Sequence, residues 1–157
     1  MRRFRTTKLI AYLAVLAVLA LSVIIPFPVV AADETIGSVK KVSGQVAVVR
    51  DGQRTPAHPG FKLHAGDILE TGPDGLLGLV LRDDSLVSLG PSSRIAIEKF
   101  RFVPAEGQLG ITTRILRGTM AYVSGLIGRL APESATFVTP VATIGVRGTR
   151  FAVKVSE

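Results

Sequence analysis

Four groupings along the chain carry residue types that could do chemistry. His58 and His64 lie close in sequence to Asp67 and Glu70, a mix of imidazole and carboxylate that could supply metal ligands. Two histidines in a segment broken by Pro and Gly are more simply loop residues facing water, and no bound metal is expected. Asp83-Asp84 has the composition of a catalytic carboxylate pair. Adjacent acids at a strand end point apart, however, so a solvated turn accounts for them better. Gly145-Val146-Arg147-Gly148 fits the Gly-x-x-Gly of an RNA-clamping loop, yet it follows a strand-like run instead of joining two helices. No nucleic acid is therefore expected. Lys99, Arg101, Arg114 and Arg117 would form a basic face. A solvated sheet face is the plainer reading of them, and contact with an anionic envelope polymer or lipid surface the sharper one. With no Gly-x-Ser-x-Gly, no Cys-His pair and no Gly-rich phosphate loop, no nucleophile can be named. The chain reads as non-enzymatic, with no catalytic residue, cofactor or metal assigned.

The elements that would position such groups begin after a distinct N-terminal stretch. Of 157 residues, 19 are Lys or Arg and 12 Asp or Glu, and four of the basic ones (Arg2, Arg3, Arg5, Lys8) precede an uncharged apolar run over residues 9–30. The remaining 125 residues then carry only +3 of the total +7, so the high net charge is partly an address and weak ground for a nucleic-acid footprint. Small residues at Val30-Ala31-Ala32 give residues 1–32 the form of a signal peptide cut before Asp33. The run also approaches the length that spans a bilayer, which makes an uncleaved anchor the competing reading; Pro26 and Pro28 favour cleavage. Either way residues 33–157 face outward, in the periplasm, on the outer face of the inner membrane or at the cell surface. Without Cys, their stability must come from the core.

Residues 33–157 read as a single all-β domain of many short strands. Apolar residues recur at spacing two, and Gly or Pro interrupts nearly every window of ten. Residues 46–49 end at Asp51-Gly52; residues 76–81 stop at Asp83-Asp84; residues 85–89 stop at Gly90-Pro91. This spacing suits a sandwich, a barrel or a solenoid-like β-roll without choosing among them. Ile95 and Ile97 alternate with Arg94, Ala96 and Glu98, after which Phe100 and Phe102 fall on the opposite phase. A bulge near Lys99 would return them to the core. Another strand over residues 109–116 is expected to turn at Arg117-Gly118 before a further strand at 120–123. Residues 125–132 form a loop with room for one helical turn, and strands at 136–139 and 148–155 close the chain.

The closing segment Val138-Thr139-Pro140-Val141-Ala142-Thr143-Ile144-Gly145-Val146-Arg147-Gly148-Thr149-Arg150-Phe151 resembles the signature that ends a FecR domain, the periplasmic module of bacterial iron-uptake regulators. Gly44-Gln45-Val46 resembles that domain's opening strand, and Gly66-Asp67-Ile68-Leu69-Glu70-Thr71-Gly72 its Gly-Asp turn, so the likeness runs over about residues 36–155. The motif and candidate interaction residues it marks are Gly66, Asp67, Thr139, Pro140, Thr143, Gly145, Val146, Arg147, Gly148, Thr149 and Phe151. A full regulator of this family implies a cytoplasmic arm that controls a sigma factor and a terminal secretin-and-TonB-type contact domain. Eight residues precede the apolar run and none follows Glu157, so the expectation is a solitary exported FecR domain. Iron signalling is not carried over by name.

Pro140 cannot donate to a ladder, and Gly145 and Gly148 permit close backbone approach, so the signature reads as a kinked double turn between strands. Arg147 between those glycines could clamp a carboxylate bidentately, Asp67 or Glu70 within the domain or an anionic group on a partner. The internal clasp is the expectation, and Arg147→Ala should then lower stability by ~1–3 kcal/mol. In function the chain reads as a protein-interaction or sensory module of the cell envelope. The alternative is a structural envelope protein that binds cell-wall polymer or assembles with itself.

Overall fold

The computed structural model describes residues 34–145 and 150–156. They form one sheet of twelve strands curled into a half-barrel around a single core. The chain runs β1 (Thr35–Ser43), β2 (Val46–Arg50), β3 (Gln53–Pro56), β4 (Lys62–His64), β5 (Ile68–Thr71), β6 (Leu76–Leu81), β7 (Leu86–Leu89) and β8 (Arg94–Val103). It continues through β9 (Gln108–Val123), a short helix α1 (Leu126–Leu130), β10 (Ala135–Val138), β11 (Thr143–Gly145) and β12 (Arg150–Val155). Neighbours along the main path are β3-β2-β5-β8-β9-β7-β6-β1-β4, with β10 and β12 also on β9 and β11 on β10. All these pairs are antiparallel except β9–β10. Roll, sandwich and barrel were all compatible with the turn spacing. Antiparallel neighbours around one shared strand exclude the parallel coils of a β-helix.

Local sequence explains most of the strands. Asp51 and Gly52 both take positive φ, 51° and 78°, which the tight β2–β3 hairpin needs. Ile95 and Ile97 are buried, the β8–β9 register shifts between Ile97 and Lys99, and Phe100 lands back in the core. The expected bulge is therefore present, at Glu98.

The largest departure concerns β9. The expected turn at Arg117-Gly118 is a bend inside one continuous strand of 16 residues. Phe137 on β10 pairs with Thr113, nine residues before Tyr122, a span of about 30 Å in a straight strand. Yet the Phe137 and Tyr122 rings lie 4.7 Å apart. Only a sharp bend in β9 can bring them together. Its register against β8 jumps from Arg94↔Arg117 to Ile95↔Ile115, leaving Leu116 as the extra residue of a bulge. That insertion moves the buried set from odd positions (Ile111, Thr113, Ile115) to even ones (Met120, Tyr122). Gly118, at φ +88°, completes the bend. A Cβ there would lie 2.4 Å from the Ser93 Cα. Ser93 in turn accepts the Thr119 N–H and donates to carbonyls at the β7–β8 turn, so the bend is clasped from outside the strand.

Candidate functional site

The signature segment builds a hairpin at one end of the half-barrel. β10 and β11 pair through Thr136↔Gly145, Phe137↔Ile144 and Val138↔Thr143. The Thr139 hydroxyl closes the turn between them by accepting the Ala142 N–H at 3.0 Å, while the Thr139 N–H donates to the Ala142 carbonyl at 2.8 Å. Pro140 and Val141 stand at the tip, where Val141 is 93% exposed. Phe151 on β12 packs edge-on against Phe137 at 4.8 Å and against Tyr122 at 5.5 Å, tying the end of the domain to the core. Between hairpin and β12 lies an apolar groove of about 560 Å3, lined by Leu116, Val141, Ile144 and Val153 among others. Sequence reasoning placed Thr139, Pro140, Thr143, Gly145 and Phe151 in one motif, and the structure gathers them at this end. Val146, Arg147, Gly148 and Thr149, with the proposed Arg147 clasp, lie outside the described residues.

Gly66 and Asp67 serve a second cluster. Gly66 has φ +91° and donates its N–H to the Ile97 carbonyl at 2.7 Å. Asp67 is fully buried and accepts from Arg50 Nε at 2.7 Å, Arg50 Nη2 at 2.8 Å and the His64 N–H at 2.8 Å. Glu70 takes Arg54 at 3.1 Å and Arg94 at 3.2 Å. Both carboxylates named as internal partners of Arg147 are thus engaged by other arginines. His58 packs on Phe61, and His64 lies with Nε2 3.4 Å from the Thr35 hydroxyl. Among the described residues no three metal-ligating side chains converge.

Two sequence readings need correction. Asp83-Asp84 is not a solvated pair: Asp84 is exposed, but Asp83 is fully buried. It accepts the Ser85 hydroxyl at 2.7 Å, the Ser85 N–H at 3.1 Å and the Ile127 N–H at 3.3 Å. Ser85 Oγ also meets the Tyr122 hydroxyl at 2.8 Å and accepts the Gly125 N–H at 2.9 Å. The network pins α1 to the sheet, and burial raises the Tyr122 phenol above its ordinary value of 10.0 against the opposing pull of the Ser85 hydrogen bond. Nothing opens this cluster to a substrate; every hydroxyl in it is buried. The basic face is also redistributed. Arg114 pairs with Glu98 and Arg101 donates to Gln108, while Arg117 lies apart from them on a groove that it lines with Arg54, Glu70 and Lys154.

Compared with known proteins, residues 67–157 match a family model described as FecR protein, over half of the chain. No curated protein and no solved structure matches. The matched region begins at Asp67, so β1 to β4 precede it, yet they supply Ile36, Val39, Val46, Val48 and Leu63 to the same core.

Proposed function

The chain belongs to the FecR family, and from that premise we propose that it is a non-catalytic interaction or sensory module of the bacterial cell envelope. In this reading residues 1–32 direct export, and residues 33–157 work in the periplasm or on the outer face of the inner membrane. The observation that carries it is the placement of the signature segment: its hairpin holds Val141 almost wholly in water beside an apolar groove. An exposed apolar tip next to an apolar groove marks a surface that another chain covers. The occupant is an extended segment of a second envelope protein. The outer edge of β12 pairs with no strand among the described residues, so its backbone offers a ladder for strand addition. The hairpin and groove then select apolar side chains on the incoming strand.

A photo-crosslinking side chain at Thr143, in intact cells, tests this. The same envelope protein should be captured repeatedly by the wild type and lost from Val141→Asp, whose melting temperature should be unchanged because the side chain touches little. Capture of only this chain or of wall fragments, or capture indifferent to Val141→Asp, would refute the reading and favour a structural role.

A further inference from the structure

Apart from the hairpin, one stretch of the sheet differs from the rest in what it shows to water. It runs from β4 through β1, β6, β7 and the second half of β9 to β12. Residues paired across strands share a face, so the register gives its outward rows. One row is Lys62, Ser38, Val80, Leu86, Val123 and Arg150. The next is Lys41, Gly78, Ser88, Ala121 and Ala152, and beyond it Thr119 stands beside Lys154. Leu79, Val87 and Tyr122, which alternate with these residues, are buried, so the rows face outward. A sheet face left to water is ordinarily polar. Here β6, β7 and β9 present Leu, Val, Gly, Ala, Ser and Thr, with Leu86 46% exposed between Val80 and Val123. All the charge in these rows is positive and stands at the two margins, Lys41 and Lys62 on one side and Arg150 and Lys154 on the other. The outward face over β5, β8 and the first half of β9 is built differently, with carboxylates among its cations: Glu70 between Arg54 and Arg94, and Glu98 on Arg114.

We propose that this face rests on an anionic lipid leaflet. Charge decides against a second copy of the chain, because both margins are positive and stacking two such faces sets cations over cations whichever way the copy turns. A leaflet of acidic lipids offers both margins one continuous anionic plane, while the apolar side chains between them enter the boundary of head groups and acyl chains. Gly78, Ser88, Ala121 and Ala152 keep the middle row shallow, which suits a plane better than the anchoring side chain of a protein partner. The point where the chain enters the domain agrees. Arg82, directly after β6, pairs with Glu34 at the margin of this face, and residues 31–33 are all that separate Glu34 from the apolar run of residues 9–30. Lipid contact here neither needs nor blocks a strand added along the outer edge of β12.

The chain has no Cys, so one polarity-sensitive dye can be attached at Ser88→Cys, in the middle of the face, or at Thr112→Cys, outward on the first half of β9. Ala152→Cys, exposed in the same row as Ser88, repeats the reading at a second site. The purified full chain is reconstituted into vesicles of phosphatidylcholine, alone or with phosphatidylglycerol, each carrying a trace of phosphatidylcholine with a nitroxide on its acyl chain. With phosphatidylglycerol present, the dyes at Ser88 and Ala152 should shift to the blue and be quenched, the dye at Thr112 should not, and high salt should reverse the effect. Lys41→Gln and Lys154→Gln should each lower the ratio of docked to undocked chain about fivefold, the effect of one cation near an acidic leaflet. The proposal is overturned if the dyes on the face are not quenched, if they are quenched as strongly in phosphatidylcholine alone, or if Thr112 is quenched as strongly as Ser88. It is also overturned if both Lys variants dock like the wild type. A blue shift that follows the density of chains instead of the phosphatidylglycerol content overturns it as well, and makes a second copy the occupant.

Discussion

Replacing Gly118 by Ala tests whether the bend in β9 holds the half-barrel together. Gly60 provides a matched control, because its φ of +87° equals the +88° of Gly118 while nothing lies within 4 Å of a Cβ built on it. At both sites a left-handed Ala costs about 1–2 kcal/mol. Stiffening of the unfolded chain returns about 0.4–1 kcal/mol of that. Gly60→Ala should therefore cost only about 1 kcal/mol. At Gly118 the new methyl would lie 2.2 Å from Ser93 Oγ and 2.4 Å from Ser93 Cα, so backbone must move as well as a side chain. Overpacking of that kind adds ~1–3 kcal/mol. Displacing Ser93 also disturbs its bonds to Thr119, Gly90 and the Thr71 hydroxyl, at about 1 kcal/mol each. The sum for Gly118→Ala is about 5–7 kcal/mol, most of what a domain of this size has to lose. Urea denaturation of both variants beside wild type measures the difference. If the two cost the same within about 0.5 kcal/mol, the close approach of Ser93 is not what constrains the bend, and the reasoning fails.

Tyr122→Phe should cost about 1 kcal/mol for the lost Ser85 bond. It should also flatten the alkaline limb of the stability curve. Because burial raises the folded phenol above 10.0, its contribution is complete below that pH and is lost as pH climbs through the folded value. Denaturation midpoints followed upward from neutral pH check this, and an unchanged slope in the variant would count against the assignment. Asp67→Asn should destabilise by about 2 kcal/mol, at the lower end for a buried pair because Arg50 is 35% exposed and can turn to water. Adding Arg50→Met should cost much less than the separate effects summed; full additivity in the double-mutant cycle would show that the clasp contributes nothing.

What the sequence made legible was whatever depends on near neighbours. The Asp51-Gly52 hairpin, the Ile95/Ile97 alternation and the bulge before Phe100 follow from turn chemistry and a period of two. The continuity of β9 was hidden because Gly118 and the odd-to-even shift of its buried residues look locally like the end of one strand and the start of another. Pairing with β7 and β12 beyond the bend makes it one. Asp83 was misplaced for a similar reason: two of its bonds are local, but the helix N–H that seals it lies 44 residues on. The meeting of Arg54 and Arg94 on Glu70, with Arg117 opposite Arg94, is a product of strand order, which brings them together from separate stretches of the sequence.

β9 touches β8 and β10 along its first half and β7 and β12 along its second. A strand flanked on both sides in both halves cannot release either half without exposing its own amides there. The two halves therefore have no separate melting transitions, and the amides flanked on both sides, over residues 111–114 and 120–123, should be the slowest in the molecule to exchange with deuterium, opening only when the whole domain does.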